Sequence, residues 1–431
     1  MSHKKIYDSL HRFIHVDELE TKLIESPPFQ RLNYIHQLGM AFLVYPGGTH
    51  KRFEHSLGAM EIATRIYDQI TILDPKRYPQ KVLDLVPMVG SKEHLYWRRV
   101  LRMAALCHDM GHLPFSHSAE QRLLGDAGHE QWTMKIIRSS HLKPIWDELN
   151  ALLPDRNTVD DIVRTAIGPE KLRGIEPEIA HYTSWERIVT DMLTGDFFGA
   201  DRIDYLLRDA QYTGLAYGHF DYHQLIETLA ILPSPDSNPE HELELGVDEN
   251  GVESSEALLL SRYFIHKRLC QYPSVKAYCF HVARFVEAYY KERIQTHSVD
   301  EYLDTNDSDV IAHFHKVVKT PDAPAYEDAA VLLKKRRRFK AVPLRTPVPK
   351  KTRLEIQESC GIPQHEIGWE MDPTKKILLS LAFPVRTRSG EVVSGETLSD
   401  VTIPQKPVSW LFVDYNHVEK IFQTLSRVKH D

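Results

Sequence analysis

The sequence predicts a mostly α-helical protein with a smaller α+β region at its C-terminal end. Apolar residues recur at helical spacing through long stretches before residue 300, whereas β-prone segments such as 377–385 and 408–413 lie after it. With 431 residues, 42% of them hydrophobic, the chain can bury a large core and form two or three structural units. We therefore expect a helical domain at residues 1–300 and an α+β region at residues 301–431, with a role in oligomerisation or regulation.

Composition narrows the class of protein. No apolar stretch approaches the roughly 20 residues of a membrane helix, and the first residues contain no signal-peptide core. The four cysteines form no CxxC pair, which argues against a zinc ribbon or a disulfide framework. The net charge of −7 provides no overall attraction to nucleic acid. We expect a cytoplasmic protein without a membrane partner.

The first elements lead to a histidine near the start of a long helix. Residues 6–45 read as short helices broken by Pro27-Pro28 and followed by a Pro-Gly-Gly turn. A helix then starts near His55, with apolar residues at helical spacing at Phe53, Leu57, Met60, Ile62, Ile66 and Ile70. Arg52 lies just ahead of His55. It either forms a surface ion pair or contacts an anionic ligand.

A second helix, Tyr96 to Asp109, is apolar on most sides and ends in a histidine and an aspartate. Burying a carboxylate without a partner costs several kcal/mol, so His108-Asp109 requires a metal or a tight ion pair. Glycine and proline end the helix, and His112 and His117 follow within a few residues. Four such side chains together favour a site over an isolated core histidine.

Two later segments add polar residues at helical positions. His129 falls just after the glycine turn 125–128, at a predicted helix start. In the predicted helix before Gly214, one face carries Asp201, Tyr205, Asp209 and Tyr212. That face is either an ordinary solvated face or a site. A further long helical stretch runs from Ser255 to Ile294.

Two imidazoles and two carboxylates suit one divalent cation and leave coordination positions for water or a phosphate oxygen. The sequence does not distinguish Mg, Mn, Fe, Zn, Co and Ni. A bound metal of this kind favours hydrolysis. The chain contains no GxxxxGK[ST], GxSxG or GxGxxG motif, so P-loop phosphoryl transfer, nucleophile-elbow hydrolysis and dinucleotide redox chemistry lose their sequence support.

Several motifs in family order, spread over about residues 5–290, carry a family resemblance. They are Phe29-Gln30-Arg31-Leu32, Gln37-Leu38-Gly39, Arg52-Phe53-Glu54-His55-Ser56-Leu57-Gly58, His108-Asp109-Met110-Gly111-His112-Leu113-Pro114-Phe115-Ser116-His117, His129-Glu130 and Asp201-Arg202-Ile203-Asp204-Tyr205. The sequence resembles the HD-domain superfamily of metal-dependent phosphohydrolases. Within that superfamily it is similar to the deoxynucleoside triphosphate triphosphohydrolases, in the bacterial form without a SAM domain.

The resemblance implies roles for individual residues. The implied metal ligands are His55, His108, Asp109 and Asp201. The implied catalytic residues are His129 as proton donor or relay, Glu120 orienting it, and His112. The implied substrate contacts are Arg52, Gln37, Leu38, His117, Arg202, Tyr205, Asp209 and Tyr278. The implied reaction is attack of water on the α-phosphorus of a nucleotide, which releases a deoxynucleoside and tripolyphosphate.

Departures from the family pattern keep other functions open. Asn33 and Glu25 replace an arginine and an aspartate of guanine-activated relatives, so binding of a nucleotide effector is left open. Cys270 and Ser274 stand where the family has an arginine and a histidine, and Lys267, Arg268 or Tyr272 would have to compensate. One alternative is another HD phosphohydrolase activity, as a phosphodiesterase or nuclease.

The other alternative is a nucleotide-regulated module that binds nucleic acid through the basic run Lys334 to Lys340, which otherwise reads as a solvated helix face. Relatives form oligomers, so a homo-oligomer is expected.

Overall fold

The computed structural model describes residues 4–151, 154–234, 242–296, 298–335, 339–344, 348–363, 366–371, 381–401 and 409–428. The helices are α1 (Glu18–Ile24), α2 (Pro27–Gln30), α3 (Arg52–Thr71), α4 (Gln80–Leu85), α5 (Lys92–Cys107), α6 (His117–Leu123), α7 (Glu130–Ile137), α8 (Lys143–Asn150), α9 (Thr158–Ile167), α10 (Pro169–Ile175), α11 (Ser184–Thr194), α12 (Ala200–Thr213), α13 (Tyr222–Thr228), α14 (Val252–Ile265), α15 (Pro273–Ile294), α16 (Val299–Leu303), α17 (Asp307–Val317), α18 (Tyr326–Ala330), α19 (Lys350–Cys360) and α20 (Val418–Val428). The strands are β1 (Lys4–Asp8), β2 (Arg12–Val16), β3 (Leu229–Pro233), β4 (Leu243–Asp248), β5 (Lys340–Leu344), β6 (Ile367–Met371), β7 (Pro384–Arg386), β8 (Val392–Ser394) and β9 (Ser409–Val413).

Helix α3 is the centre of the helical core, because it packs against both α5 and α12. The last two turns of α5, residues 100–107, are buried on every side, in agreement with the apolar pattern that predicted a central helix. Helix α12 ends at Thr213 and is followed by Gly214, which adopts a left-handed conformation at φ 74°. The prediction of a mostly helical fold with a smaller α+β C-terminal region is confirmed.

The chain begins with an antiparallel hairpin, and the prediction of short helices was wrong for residues 6–16. Strands β1 and β2 pair with Asp8 opposite Arg12 at the turn. Ile14 and Val16 are fully buried, whereas His15 between them and Phe13 before them are exposed. Alternation of buried and exposed side chains with a two-residue period is typical of a half-buried strand, so these residues form a hairpin and not helices.

Two further sheets lie in the second half of the chain. One has the order β3-β4-β7-β8, in which β4 and β7 are parallel neighbours, and the other has the antiparallel order β5-β9-β6. Strand β7 overlaps the predicted β segment 377–385, of which residues 377–380 lie outside the described part. Strand β9 covers the described part of the predicted segment 408–413.

The main buried cluster continues past residue 300, through α17 and α18 and on to Phe383 and Val385. A smaller cluster, which includes Val342, Leu411 and Ile421, fills the β5-β9-β6 sheet and its helices. The division at residue 300 stays a prediction. Of the basic run Lys334 to Lys340, residues 336–338 lie outside the described part. Within that part, no helix combines the length and the apolar composition that a membrane crossing requires.

Candidate metal centre and active site

His55 brings together the two helices that flank α3. It is fully buried, and its Nε2 lies 3.0 Å from Asp201 Oδ1 on α12 and 3.6 Å from Asp109 Oδ2 after α5. Its Nδ1 donates to Asp204 Oδ2 at 2.8 Å, which leaves Nε2 without the proton in the neutral ring. Although burial lowers the pKa of His55, the carboxylates of Asp201, Asp204 and Asp109 raise it to about 10. The position therefore demands positive charge.

His108 presents a ring nitrogen to the same space. Its Nδ1 donates to the carbonyl of Ala105 at 2.7 Å, and this bond fixes the tautomer. Its Nε2 is buried and has no hydrogen-bond partner within the described ranges. That nitrogen lies 3.4 Å from Asp109 Oδ1 and 3.5 Å from Asp201 Oδ1. An orphaned buried nitrogen beside two carboxylates is the arrangement of a metal ligand.

Charge supports the same assignment. Four carboxylates, those of Asp8, Asp109, Asp201 and Asp204, meet the guanidinium groups of Arg52 and Arg208 in one contact network. With neutral histidines, this network has two net negative charges in a largely buried region, and a divalent cation would balance them. The ligand atoms of His55, His108 and Asp201 lie within 4.8 Å of one another. The residues present therefore fit one divalent metal ion, with Asp109 at 3.4 to 3.6 Å from the two histidines.

Asp204 is a candidate functional residue that the sequence analysis did not single out. Its fully buried carboxylate accepts from His55 Nδ1 at 2.8 Å, from His11 Nε2 at 2.7 Å and from Arg208 Nε at 2.9 Å. Its approach depends on Gly58 of α3, where a Cβ atom would lie 1.9 Å from Asp204 Oδ1. A carboxylate that orients a metal-binding histidine typically raises its affinity for the metal.

Three imidazoles converge on the carboxylate of Glu120 beside the metal group. The Nδ1 atoms of His112, His117 and His129 lie 2.5, 2.8 and 3.2 Å from its oxygens. Burial raises the pKa of Glu120, but the three histidines lower it well below its usual range. Burial lowers the pKa of His129, but the carboxylate of Glu120 outweighs this and raises the pKa above its ordinary value. Burial and the charge of Arg52 lower the pKa of His112 to about 4. His129 is therefore the favoured proton carrier of the buried pair.

The two buried histidines are also in direct contact. The rings of His112 and His129 stack with centroids 3.5 Å apart. His112 Nε2 lies 3.1 Å from Asp109 Oδ1, so His112 connects the Glu120 cluster to the metal group. His117 is 70% exposed and provides a link from this cluster to solvent. The structure thus brings together all of the residues that were predicted to be catalytic.

Arg52 is buried, so the surface ion-pair interpretation was wrong. Its Nη1 donates to Asp109 Oδ2 at 2.5 Å and its Nε donates to Ser116 Oγ at 2.8 Å. Ser116 Oγ in turn donates to the carbonyl of His36 at 2.6 Å. Ser116 has φ 55° and ψ −133°, a strained combination for a residue with a side chain. The strained residue is therefore the one whose hydroxyl orients Arg52.

Asp307, at the start of α17, holds this strained turn from the far end of the sequence. Its Oδ1 accepts from Phe115 N–H at 2.7 Å, and its Oδ2 accepts from the backbone N–H and the Nδ1 of His36 at 2.8 and 2.6 Å. Nearby, the buried Arg31 donates to the carbonyls of His112 and Thr305. Thr305 and Asp307 therefore support the histidine-rich turn, a contact that sequence spacing gave no reason to expect.

Residues that the resemblance assigned to the nucleoside lie further along α12 from Asp201 and on other elements of the fold. Asp209 accepts from His50 Nε2 at 2.8 Å, and Tyr205 is partly buried one turn after Asp201. Gln37 Oε1 is buried with no hydrogen-bond partner in the part of the chain that is described. Leu38 is half-buried, and Tyr278 is buried on α15. Their contact with a nucleoside stays a prediction.

Two arginines flank the metal group on the α12 side. Arg202 donates to the carbonyl of Gly195 at 2.6 Å and lies 3.2 Å from the carboxylate of Asp196. Arg262 of α14 donates to the carbonyl of Asp196 at 3.1 Å. Both arginines line a shallow pocket whose remaining walls include Phe197, Phe198, Leu258, Leu259, Leu381 and Phe383. Arg262 was not singled out from the sequence, which had offered Lys267, Arg268 or Tyr272 for this part of the chain.

Comparisons with known proteins agree with this geometry. The family model of the HD domain matches residues 52–171. An uncharacterized protein of Methanocaldococcus jannaschii is 31% identical over 63% of this chain and 47% of its own length. The human deoxynucleoside triphosphate triphosphohydrolase SAMHD1 is 27% identical over 62% of this chain and 42% of its own. The chain spans about half the length of the curated relatives it matches.

Among solved structures, a hypothetical protein from Aquifex aeolicus superimposes with a TM-score of 0.73 and 27% identity. This match covers 98% of this chain and all of the other.

Proposed function

Since this chain carries an HD domain at residues 52–171, we propose that it is a metal-dependent phosphohydrolase that converts deoxynucleoside triphosphates to deoxynucleosides and tripolyphosphate. The observation that carries the proposal is the convergence of His55, His108 and Asp201 beside the Glu120 cluster. A metal group and a buried proton carrier side by side are what hydrolysis of a phosphate ester requires. The choice of deoxynucleoside triphosphates rests on the motifs shared with the triphosphohydrolases.

In this proposal His55, His108, Asp109 and Asp201 hold the divalent cation. When bound, the cation supplies a Lewis acid that polarises phosphoryl oxygen and activates water near neutral pH. Arg52 donates to Asp109, so its guanidinium lies beside the metal ligands, and in this proposal it contacts a triphosphate oxygen. Arg202 contributes a second positive charge from the first turn of α12. Together these cations offset the charge that develops on the phosphate.

His129 protonates the departing 5′-oxygen. The carboxylate of Glu120 holds the Nδ1 of His129 and keeps its pKa above the ordinary value, although burial opposes this. A buried imidazole whose pKa is raised retains its proton to higher pH than an ordinary histidine, which suits a general acid. His112 contacts both Glu120 and Asp109 and so connects the proton carrier to the metal ligands. The exposed His117 exchanges protons with solvent.

A panel of deoxy- and ribonucleoside triphosphates, assayed singly and in pairs with the purified protein and Mn²⁺, tests the proposal. Tripolyphosphate and a nucleoside in equal amounts are the expected products. Release of phosphate, pyrophosphate or a nucleoside monophosphate without tripolyphosphate would instead identify another phosphohydrolase activity. Asp201→Asn is the control for a contaminating hydrolase, because it removes one ligand. Stimulation in any nucleotide pair would reveal an effector site.

We also propose that the full chain forms a homo-oligomer through residues 301–431. The proposal rests on the family resemblance and on the separate buried cluster around the β5-β9-β6 sheet. The mass of the full chain in solution, measured by light scattering with and without nucleotide, tests it. A monomer under every condition would refute it.

A further inference from the structure

The turn of the N-terminal hairpin reaches the buried side of the metal group. His11 is buried, and its Nε2 donates to Asp204 Oδ1 at 2.7 Å. The other oxygen of Asp204 accepts from His55 Nδ1 at 2.8 Å. His11 is separated from His55 by one carboxylate, although the two residues belong to different elements and His11 has no part in the proposed chemistry.

The position of His11 is fixed by its own turn. Asp8 Oδ2 accepts from the backbone N–H groups of Leu10 and His11, each at 2.8 Å, and Asp8 Oδ1 accepts from Arg208 Nη1 at 2.8 Å. Arg208 also donates to Asp204 at 2.9 Å. The turn is therefore joined to α12 at two points, through Asp8 to Arg208 and through His11 to Asp204.

Packing elsewhere in the hairpin is one-sided. Ile14 and Val16 are buried, but Tyr7 and Phe13 are 72% and 56% exposed. The polar contacts of the turn therefore attach the hairpin to the helical core together with the buried Ile14 and Val16. A fully buried histidine and carboxylate in that attachment are costly to place unless they are paired with each other.

We propose that the hairpin turn, residues 8–12, sets the affinity of the metal group, with His11 acting through Asp204 to hold the ring of His55. The inference rests on the metal centre proposed above. Hydrogen bonds to Asp204 from His11 and Arg208 stop the carboxylate from rotating, and the carboxylate then presents His55 with Nε2 directed at Asp201. Removing groups behind a metal ligand typically weakens metal binding by about 10- to 100-fold. His11 is therefore a positioning residue.

Binding of Mn²⁺ to the metal-free full chain, followed by calorimetry, tests the proposal without any need for turnover. His11→Phe keeps a ring against Tyr222, whose centroid lies 6.3 Å away, but removes the donor to Asp204. We expect its Kd for Mn²⁺ to rise about tenfold or more. His11→Gln, whose amide can donate to Asp204, should recover part of this loss. His15→Ala is the matched control, because His15 lies on the same hairpin with an exposed side chain, and its Kd should stay unchanged.

Each outcome separates this inference from the proposed function. If the native protein binds Mn²⁺ and His11→Phe binds it equally tightly, the role of the hairpin is refuted while the metal centre stands. If the native protein binds no divalent cation, the metal centre itself fails. Thermal unfolding with excess chelator shows whether each variant is folded without metal. Loss of Mn²⁺ affinity in a folded His11→Phe, partly restored in His11→Gln, supports the proposal.

Discussion

Asp307 offers a direct test of how the far end of the chain supports the active site. Its carboxylate is 2% exposed and accepts three N–H groups, from Phe115 and from the backbone and ring of His36. These bonds hold the strained turn at Ser116, whose hydroxyl accepts from Arg52. Replacing Asp307 by alanine removes both acceptor oxygens and leaves all three N–H donors without this partner in a buried place.

The expected destabilisation follows from that count. A buried donor without a partner costs about 1–3 kcal/mol, so three such donors at the lower limit give about 3 kcal/mol. Asp307→Asn keeps one oxygen, and with that oxygen facing His36 only the Phe115 N–H loses its acceptor. Asp307→Asn should therefore lower the free energy of unfolding by about 1–2 kcal/mol. Both variants should also raise the KM for nucleotide, because Ser116 and Arg52 lose their fixed positions.

Urea denaturation at equilibrium measures the first effect and initial-rate kinetics the second. Asp309→Ala is the matched control, because Asp309 lies on the same first turn of α17 with a side chain 40% exposed and an ion pair to Arg293 at 3.2 Å. An exposed ion pair contributes about 0–1 kcal/mol, and any effect of charge at the helix N-terminus is shared by both positions. If Asp307→Ala destabilises the protein no more than Asp309→Ala does, the support from α17 is refuted.

Three further outcomes are expected. Gly58→Ala places a Cβ atom 1.9 Å from Asp204 and should destabilise the protein by about 1–3 kcal/mol, measured by urea denaturation. Gly174→Ala is the control, because it has open space around it and should stabilise the protein by about 0.5–1 kcal/mol; equal effects of the two changes would contradict the close approach. The rate of hydrolysis should fall as pH rises through the raised pKa of His129. Glu120→Gln removes the carboxylate that raises this pKa, so the decline in its pH–rate profile should move to lower pH; an unmoved decline would exclude His129 as the acid. Chelation should lower the melting temperature of the native protein and readdition of Mn²⁺ should restore it, since a ligand bound only to the folded state stabilises that state; a melting temperature that ignores Mn²⁺ would argue against the metal centre.

Residues 6–16 show why a hairpin was predicted as short helices. Residues 6–16 contain Ile6, Ile14 and Val16, whose alternation with exposed residues is short and interrupted by the turn. A run of this length carries little periodic signal, and the residues after it have a helical pattern, so the sequence alone did not distinguish the two. The hairpin is stabilised by contacts of its turn with α12, and these contacts are far away in sequence.

The sequence by itself predicted the helices that carry the candidate metal group, and the motifs of the family resemblance named His55, His108 and Asp201 as candidate ligands. Their neighbours along the chain, the apolar helix faces and the glycine turns, are local features that spacing can report. Only the tertiary structure decided which groups stand behind them. Asp204 shares no face with the predicted row of α12, and its partners His11 and His55 lie 193 and 149 residues away. Buried polar atoms must have hydrogen-bond partners, and packing decides which residues supply them. The contacts of Asp204 therefore depend on how α3, α12 and the hairpin pack together, and the spacing of residues in the sequence does not reveal them.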